Sequence, residues 1–394
     1  MALKNLPSEF TPPDYDGGSL ANVPATIAEM LGVPPPGLPA LRDPLWKPLG
    51  RAKRVVLLLI DSLGWPIFQR ELAAFEDLLP QAAIQDKITS VFPSTTVAAL
   101  SSLWTGYAPA QHGLLGLRLF FPDQAVLGQM LNFSPNFGGR PGLLEEKGVD
   151  PQGFLAVPGF ARHLANYGVP AHSYKGREIL VSPLSEMLDR GLQRRTGVIS
   201  SADMFVQLRQ LLEETAGSSL YAQAYWPAVD SICHAYGPTH PSVAAELRTV
   251  IEQVQTELLG KLSPAARQDT VLFITGDHGQ IEATPEQAIN IDDHPQFKEL
   301  LLMRPAGEPR TPYLYLRQGC LQTAQAYLED HWPEAMVAMR PAEALTSGLM
   351  GPKPHAPEDA RRLGDLLVTM RKGHTLLTGA DAAKLDRMRG RHGG

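Results

Sequence analysis

Three short apolar runs, each delivering an acidic residue at its end, constrain the fold of this chain more than anything else in it. They are Arg54 to Ile60 (RVVLLLI), Leu220 to Tyr225, and the VLFIT within Asp269 to Thr275. Runs of strand length that lack the alternation of a half-solvated strand read as strands buried on both faces, as in parallel sheets. Asp61 follows the first run directly. Asp230 follows the second after Trp226-Pro227-Ala228-Val229. The third runs into Gly276-Asp277-His278-Gly279. Carboxylates at the C-terminal ends of parallel strands lie where open α/β sheets build their sites. An Asp in such a place also caps helices, and for Asp61 alone both readings stand.

A fourth stretch, Val91 to His112 (VFPSTTVAALSSLWTGYAPAQH), reads as a turn into a buried helix. Lys87 to Val91 is the strand expected to feed it. Phe92 and Pro93 are extended, Ser94 and Thr95 are good N-cap residues, and Val97 to Leu103 is apolar until the stop at Thr105-Gly106. Thr96 falls on the first turn, where free backbone N–H groups and the helix dipole favour an anion such as a phosphoryl group. It is the candidate nucleophile; the alternative is a core helix whose threonines only cap.

Asp230 and His234 stand four apart on one expected helical turn. That places their Cβ atoms about 5–6 Å apart on one face, a spacing suited to joint metal ligation and also common in purely structural pairs. Adjacent Asp277 and His278 between glycines are more specific, since glycine permits turns that let neighbours reach one ion.

Around these motifs the pattern predicts a helix over Asn22 to Leu31, ended by Pro34-Pro35-Pro36, and a loop excursion from Leu117 to Pro158. Further expectations are a helix at Phe160 to Tyr167, a strand at Val169 to Tyr174, a helix at Ala202 to Glu214 and a long amphipathic helix through Leu258. A small α/β unit follows, with strand Tyr313 to Arg317, helix Leu321 to His331 and strand Met336 to Met339; Gly364 to Met370 is expected as a last core strand. The domain reading is an arm over 1–50 and a catalytic domain over 51–394. Insertions fall at about 118–160 and, as the small α/β subdomain, at about 295–350.

Composition narrows the function classes. The 394 residues are 44% hydrophobic, enough for a large core, and the net charge of -6 argues against coating nucleic acid. Cys233 and Cys320 give no disulfide framework. MALKNLPSEF has no apolar h-region and the longest apolar run near the start, Val55 to Ile60, is too short to span a bilayer, so a soluble cytoplasmic protein is expected, with no membrane partner.

The order Asp61, Thr96, Asp230 with His234, Asp277-His278 and a terminal His392-Gly393 resembles the alkaline phosphatase superfamily. It is most similar to the type I phosphodiesterase/nucleotide pyrophosphatase branch. LLLIDSLGW, FPSTTVAALSSLWTG, APAQHG, DSICHAYGP, TGDHG and HGG carry the resemblance. It implies an α/β fold with a doubly wound, largely parallel central sheet flanked by helices. It also implies two divalent cations, one held by Asp61, Thr96, Asp277 and His278, the other by Asp230, His234 and His392. A His/Asp set without thiolate suits zinc, with manganese the alternative. The implied activity is hydrolysis of phosphodiester or pyrophosphate bonds in small nucleotide-type substrates through a phosphothreonine at Thr96.

This chain departs from the pattern in two places. Where some members carry an Asn that binds a phosphoryl oxygen, it has Leu114 to Arg118; Arg118 is a phosphate partner by charge or an ordinary surface Arg. His392 lies close to the end of the sequence, with His374 and His355 as substitutes. Asp292-Asp293-His294 fits no motif of the family, and His112 is expected to brace its turn. A phosphomonoesterase, phosphonate hydrolase or phosphomutase would use the same metal site. A catalytically dead binding protein is disfavoured because every ligand is present, and no C/S-x-P-x-R setting points to a sulfatase.

Overall fold

A computed structural model of the chain describes residues 6–136 and 138–393. Its centre is a five-stranded parallel sheet in the spatial order Arg194–Val198, Ala171–Gly176, Leu220–Trp226, Arg54–Ile60, Thr270–Thr275. The three apolar runs are therefore neighbours, with the Arg54 strand in the middle and buried along its whole length. Successive side chains of a strand point to opposite faces. Accordingly Val55, Leu57 and Leu59 pack with Val97, Leu100 and Ile27. Val56, Leu58 and Ile60 pack with Phe205, Leu208, Leu247 and Ile251 from the helices Ser201–Glu214 and Pro241–Gln253. The uninterrupted apolar run is thus the signature of a strand with a helical layer on each side.

The register sets up the site. Ile60 pairs with Trp226 and Leu59 with Thr275, so Asp61 leaves the sheet level with Asp277 and a turn away from Asp230.

A second sheet has seven antiparallel strands, in the order Met336–Met339, Leu366–Met370, Thr311–Leu314, Ala306–Glu308, Arg118–Phe121, Val126–Gln129, Ser134–Pro135. Leu119, Phe121, Tyr313 and Leu367 join the core of the Thr96 helix, while Leu314, Leu366 and Val368 pack over Phe297 and Leu328. Three expectations change here. The excursion expected from Leu117 begins with strands: Arg118 to Phe121 alternates half-buried and buried residues, a period-2 pattern masked by the Gly and Pro residues that follow. Gly364 to Met370 contributes a strand to this antiparallel sheet, not to the parallel one. Lys87 to Val91 forms no strand, only a bridge from Thr89 to Ser19. The early helix spans Val23–Met30 and its Val23, Ile27 and Met30 sit in the main core. No helix among the described residues is long and apolar enough to cross a membrane.

Candidate active site

Asp61, Thr96, Asp230, His234, Asp277, His278 and His392 come together at the C-terminal ends of the central strands. Thr96 begins the helix Thr96–Leu103, all of whose side chains are buried. Thr95 occupies the N-cap position, yet its hydroxyl makes no capping bond and is buried without a partner. The expectation that Thr95 caps is thus met in backbone conformation and not in hydrogen bonding, which leaves first-turn N–H groups free of a side-chain acceptor.

Three ligand atoms surround Nε2 of His278. Thr96 Oγ1 lies at 3.0 Å, and Asp61 Oδ1 and Asp277 Oδ2 each at 3.4 Å. Nδ1 of His278 is 3.1 Å from the Gly279 carbonyl, which places the ring proton there and turns the Nε2 lone pair inward. Asp230 and His234 lie on the helix Ala228–Tyr236. Asp230 Oδ1 is 3.3 Å from His234 Nε2, and the Nε2 atoms of His234 and His392 are 3.1 Å apart. Asp230 falls within both ligand clusters, so the two are contiguous.

The fit to divalent cations follows from three observations. Ligand atoms that share one tetrahedral ion at about 2.0–2.1 Å lie roughly 3.3 Å from one another, and the spacings above match. Asp61 Oδ1 and Asp277 Oδ2 are buried oxygens with no hydrogen-bond partner, a costly arrangement that a cation relieves. His234 donates from Nδ1 to the Gly390 carbonyl at 2.9 Å, and His392 from Nδ1 to Glu308 Oε2 at 2.7 Å. Their Nε2 lone pairs then face one point, which a cation satisfies.

The electrostatics agree. Burial, then the charges of Asp277 and Asp230, push the Asp61 carboxyl well above its ordinary range. Burial also pushes Asp230 upward, but the nearby His234, His392 and His278 outweigh it and hold Asp230 low. Burial favours neutral His392, and Glu308 overrides it to raise the ring to about 9, so a cation would take the Nε2 lone pair by displacing the proton there while Nδ1–H stays on Glu308. Carboxylates thus crowd one end of the site, and their repulsion is what a cation would relieve.

Supporting residues outside the expected set are Ser62, Tyr225, Gln280 and Glu308. Ser62 has a positive φ of 65°; its N–H donates to Asp277 Oδ1 at 3.0 Å and its hydroxyl to Asp230 Oδ1 at 2.7 Å. This is local backbone strain held in place by two site contacts. Tyr225 donates to Asp61 Oδ2 at 2.5 Å, and burial followed by the Asp61 charge keeps its phenol protonated. Gln280 Nε2 donates to Asp230 Oδ1 at 2.7 Å. Ser62 sits inside the motif LLLIDSLGW and Gln280 directly follows TGDHG. Tyr225 is the penultimate residue of its strand, and Glu308 comes from the other sheet with no sequence signal. The glycines serve close approach, with none of Gly64, Gly276 and Gly279 at positive φ: a Cβ on Gly276 would stand 2.2 Å from the Leu63 carbonyl, and one on Gly64 2.4 Å from Gly279 Cα. Any side chain there would push the loops carrying Asp61 and Asp277 apart.

The remaining candidates are placed elsewhere. The Arg118 guanidinium is held by Asp381 at 2.8 Å. His374 and His355 contact the carbonyls of Arg371 and Gly351 and belong to neither cluster among the described residues. Asp292 binds Lys298 and the Gly379 N–H, and His294 packs on Trp332. His112 braces its turn: its Nδ1 accepts from Leu114 N–H, its Nε2 meets Ser102 Oγ at 3.0 Å, and burial depresses it to about 3.

Comparison with known proteins places this site in context. No curated protein matches the chain. Solved structures do. A murine ectonucleotide pyrophosphatase/phosphodiesterase 5, in an inactive form in complex with AMP, aligns with TM-score 0.63 at 16% identity, covering 86% of this chain and 83% of its own. Phosphonoacetate hydrolase from Sinorhizobium meliloti 1021 in complex with phosphonoformate aligns with TM-score 0.60 at 19% identity over 86% of each chain. At these identities the likeness establishes the alkaline phosphatase-like fold. The family model for type I phosphodiesterase / nucleotide pyrophosphatase matches residues 55–394, which hold every residue of the two clusters. The chain belongs to the type I phosphodiesterase / nucleotide pyrophosphatase family.

Proposed function

We propose that this chain hydrolyses phosphodiester or pyrophosphate bonds of small nucleotide-type substrates, with Thr96 as nucleophile and a phosphothreonine intermediate. One observation carries the reading: the Thr96 hydroxyl opens a helix whose N-cap side chain accepts no first-turn N–H, and it points at a ring of buried, partnerless carboxylate oxygens and His278. Asp61, Thr96, Asp277 and His278 would hold one divalent cation, and Asp230, His234 and His392 the other. When bound, two such cations, zinc by donor set and manganese as the alternative, neutralise charge on the attacking and leaving oxygens.

The residues then divide the work. The helix start orients the substrate phosphoryl group with its free N–H groups and dipole. Thr96 gives up its hydroxyl proton to solvent and Oγ1 attacks phosphorus in line as the bond to the leaving oxygen breaks, that oxygen taking a proton from solvent. Water then attacks phosphorus, the bond to Oγ1 breaks, and Thr96 recovers its proton. Tyr225 and Ser62 fix the carboxylates of Asp61, Asp230 and Asp277 during both steps. Arg118 would contact a substrate phosphate only by exchanging Asp381 for it.

The test is hydrolysis of an aryl phosphodiester and an aryl phosphomonoester with zinc or manganese, together with acid-quench trapping of phosphate on Thr96. Preferential diester cleavage and a label on Thr96 are expected. Faster cleavage of the monoester would move the assignment to a phosphomonoesterase on the same site, and absence of label during turnover would remove the phosphothreonine.

A further inference from the structure

We infer that Glu308 is a positioning residue of the Asp230/His234/His392 site, holding His392 in the tautomer and ring orientation that ligation requires. The inference rests on the reading of His392 as a ligand. Glu308 is 6% exposed and ends the strand Ala306–Glu308, paired through Thr311 in a tight hairpin of the antiparallel sheet. Its Oε2 lies 2.7 Å from His392 Nδ1. The opposite ring nitrogen looks at His234 Nε2 at 3.1 Å and Asp230 Oδ1 at 3.8 Å. A carboxylate acceptor at Nδ1 obliges the proton to reside there and leaves the Nε2 lone pair for a cation. It also makes the ring a stronger donor than a carbonyl acceptor would.

The asymmetry with the other two histidines supports this role. His234 sits on the helix and His278 in the loop that directly follow central strands, and they take backbone carbonyls, Gly390 and Gly279, at Nδ1. His392 comes from a three-residue strand near the end of the sequence, held by pairing with Gln280–Glu282. That pairing sets its backbone but leaves the ring free to rotate about its side-chain bonds. Glu308, anchored in a different sheet, supplies the second point that fixes the ring plane. Arg310 and Arg391 lie within its electrostatic reach. A buried ion pair with no bearing on the site is the competing explanation, and only a measurement specific to one of the two cations separates them.

The experiment uses the full chain and zinc alone as probe. Stoichiometry and dissociation constants are measured by competition with a chromophoric chelator for the parent, Glu308→Gln, Glu308→Ala and His392→Ala. His392→Ala is expected to lose one ion. Glu308→Ala is expected to weaken that same ion by about 10–100-fold and leave the other unchanged, the usual cost of removing an outer-shell partner. Glu308→Gln, isosteric and still an acceptor, should fall between Ala and the parent. If both Glu308 variants bind two zinc ions as tightly as the parent while His392→Ala loses one, the positioning role is overturned and the site reading stands. Equal weakening of both ions would mark a general structural role and also overturn it. Two tight ions in His392→Ala would instead overturn the ligand assignment on which the inference rests. Should Glu308→Ala fail to fold, the Glu308→Gln comparison alone decides.

Discussion

Single residues decide the chemistry here, and Thr96 is the one whose loss is most informative. It supplies both a nucleophilic oxygen and the helix-start position, and no neighbouring group duplicates the pair: Thr95 is buried and faces away from any partner. Thr96→Ala should lower turnover by about 10⁴-fold or more, with the circular dichroism spectrum unchanged and His278, Asp61 and Asp277 still able to bind a cation. Activity within about tenfold of the parent would take Thr96 out of the nucleophile role. Asp359 offers a residue-scale prediction of a different kind. It is 1% exposed, both of its carboxylate oxygens lack a hydrogen-bond partner, and burial pushes it up to about 8. Arg362 pulls the other way, but its guanidinium is engaged by the Gly113 carbonyl and the Phe154 ring face. The folded chain therefore keeps a proton that the unfolded chain releases near its ordinary value of 3.8. The associated stability is complete below about pH 4 and is lost progressively as pH rises towards 8. Each pH unit across that window is worth up to about 1.4 kcal/mol. Asp359→Asn has no proton to lose, so its unfolding free energy in urea should fall less between pH 5 and pH 8 than that of the parent. Parallel curves for the two proteins over that range would refute the assignment.

At the scale of elements, the short strand Gly390–His392 shows how a weak segment can carry a strong function. Pairing with Gln280–Glu282, the Arg389 N–H to the His234 carbonyl at 2.7 Å, and the Gly393 N–H to the Gly279 carbonyl at 3.1 Å hold its backbone. His392→Ala is thus a cleaner probe than removal of the tail, because it leaves this backbone network in place. The variant should retain the cation at Asp61, Asp277 and His278 and lose the other, as metal counting after gel filtration would reveal. Undiminished binding of two ions would point to a different third ligand. The same strand shows what the sequence could and could not reveal. The motif HGG marked His392 because a histidine near a metal site needs only the right neighbours in the pattern. The central strands were legible because burial on both faces writes itself as an uninterrupted apolar run, RVVLLLI above all. The strands at Arg118–Phe121 and Leu366–Met370 were misplaced for the converse reason. Antiparallel strands this short pair with partners hundreds of residues away, such as Gly307 with Arg118, and nothing local encodes that partner. Glu308 inherits the same difficulty, and so it had no sequence signal at all.

For the whole molecule, the site acts as a fastener between parts that are remote in sequence. Asp61, Thr96, Asp230, His234, Asp277, His278 and His392 span most of the chain and meet only once the parallel sheet has formed, and through Glu308 they touch the antiparallel sheet as well. The unfolded chain has no comparable site, so on the proposed reading cations would bind the native state alone and stabilise it by mass action. At about a thousandfold over the dissociation constant, each ion contributes roughly 4 kcal/mol. Without cations, the buried carboxylates of Asp61 and Asp277 are left with partnerless oxygens beside one another, which lowers stability further. Exhaustive chelation should accordingly lower the melting temperature by on the order of 5–10 °C for a chain of this size, and abolish hydrolysis. Returning zinc or manganese should restore both together. His392→Ala, with one ion lost, should show roughly half the shift, because the ion at Asp61, Asp277 and His278 and its contacts persist. The measurement is differential scanning calorimetry of parent and variant, each with chelator and with excess zinc. A chelated parent that melts where the zinc-loaded parent does, and still turns over substrate, would mean that neither the stability nor the chemistry of this site depends on a metal.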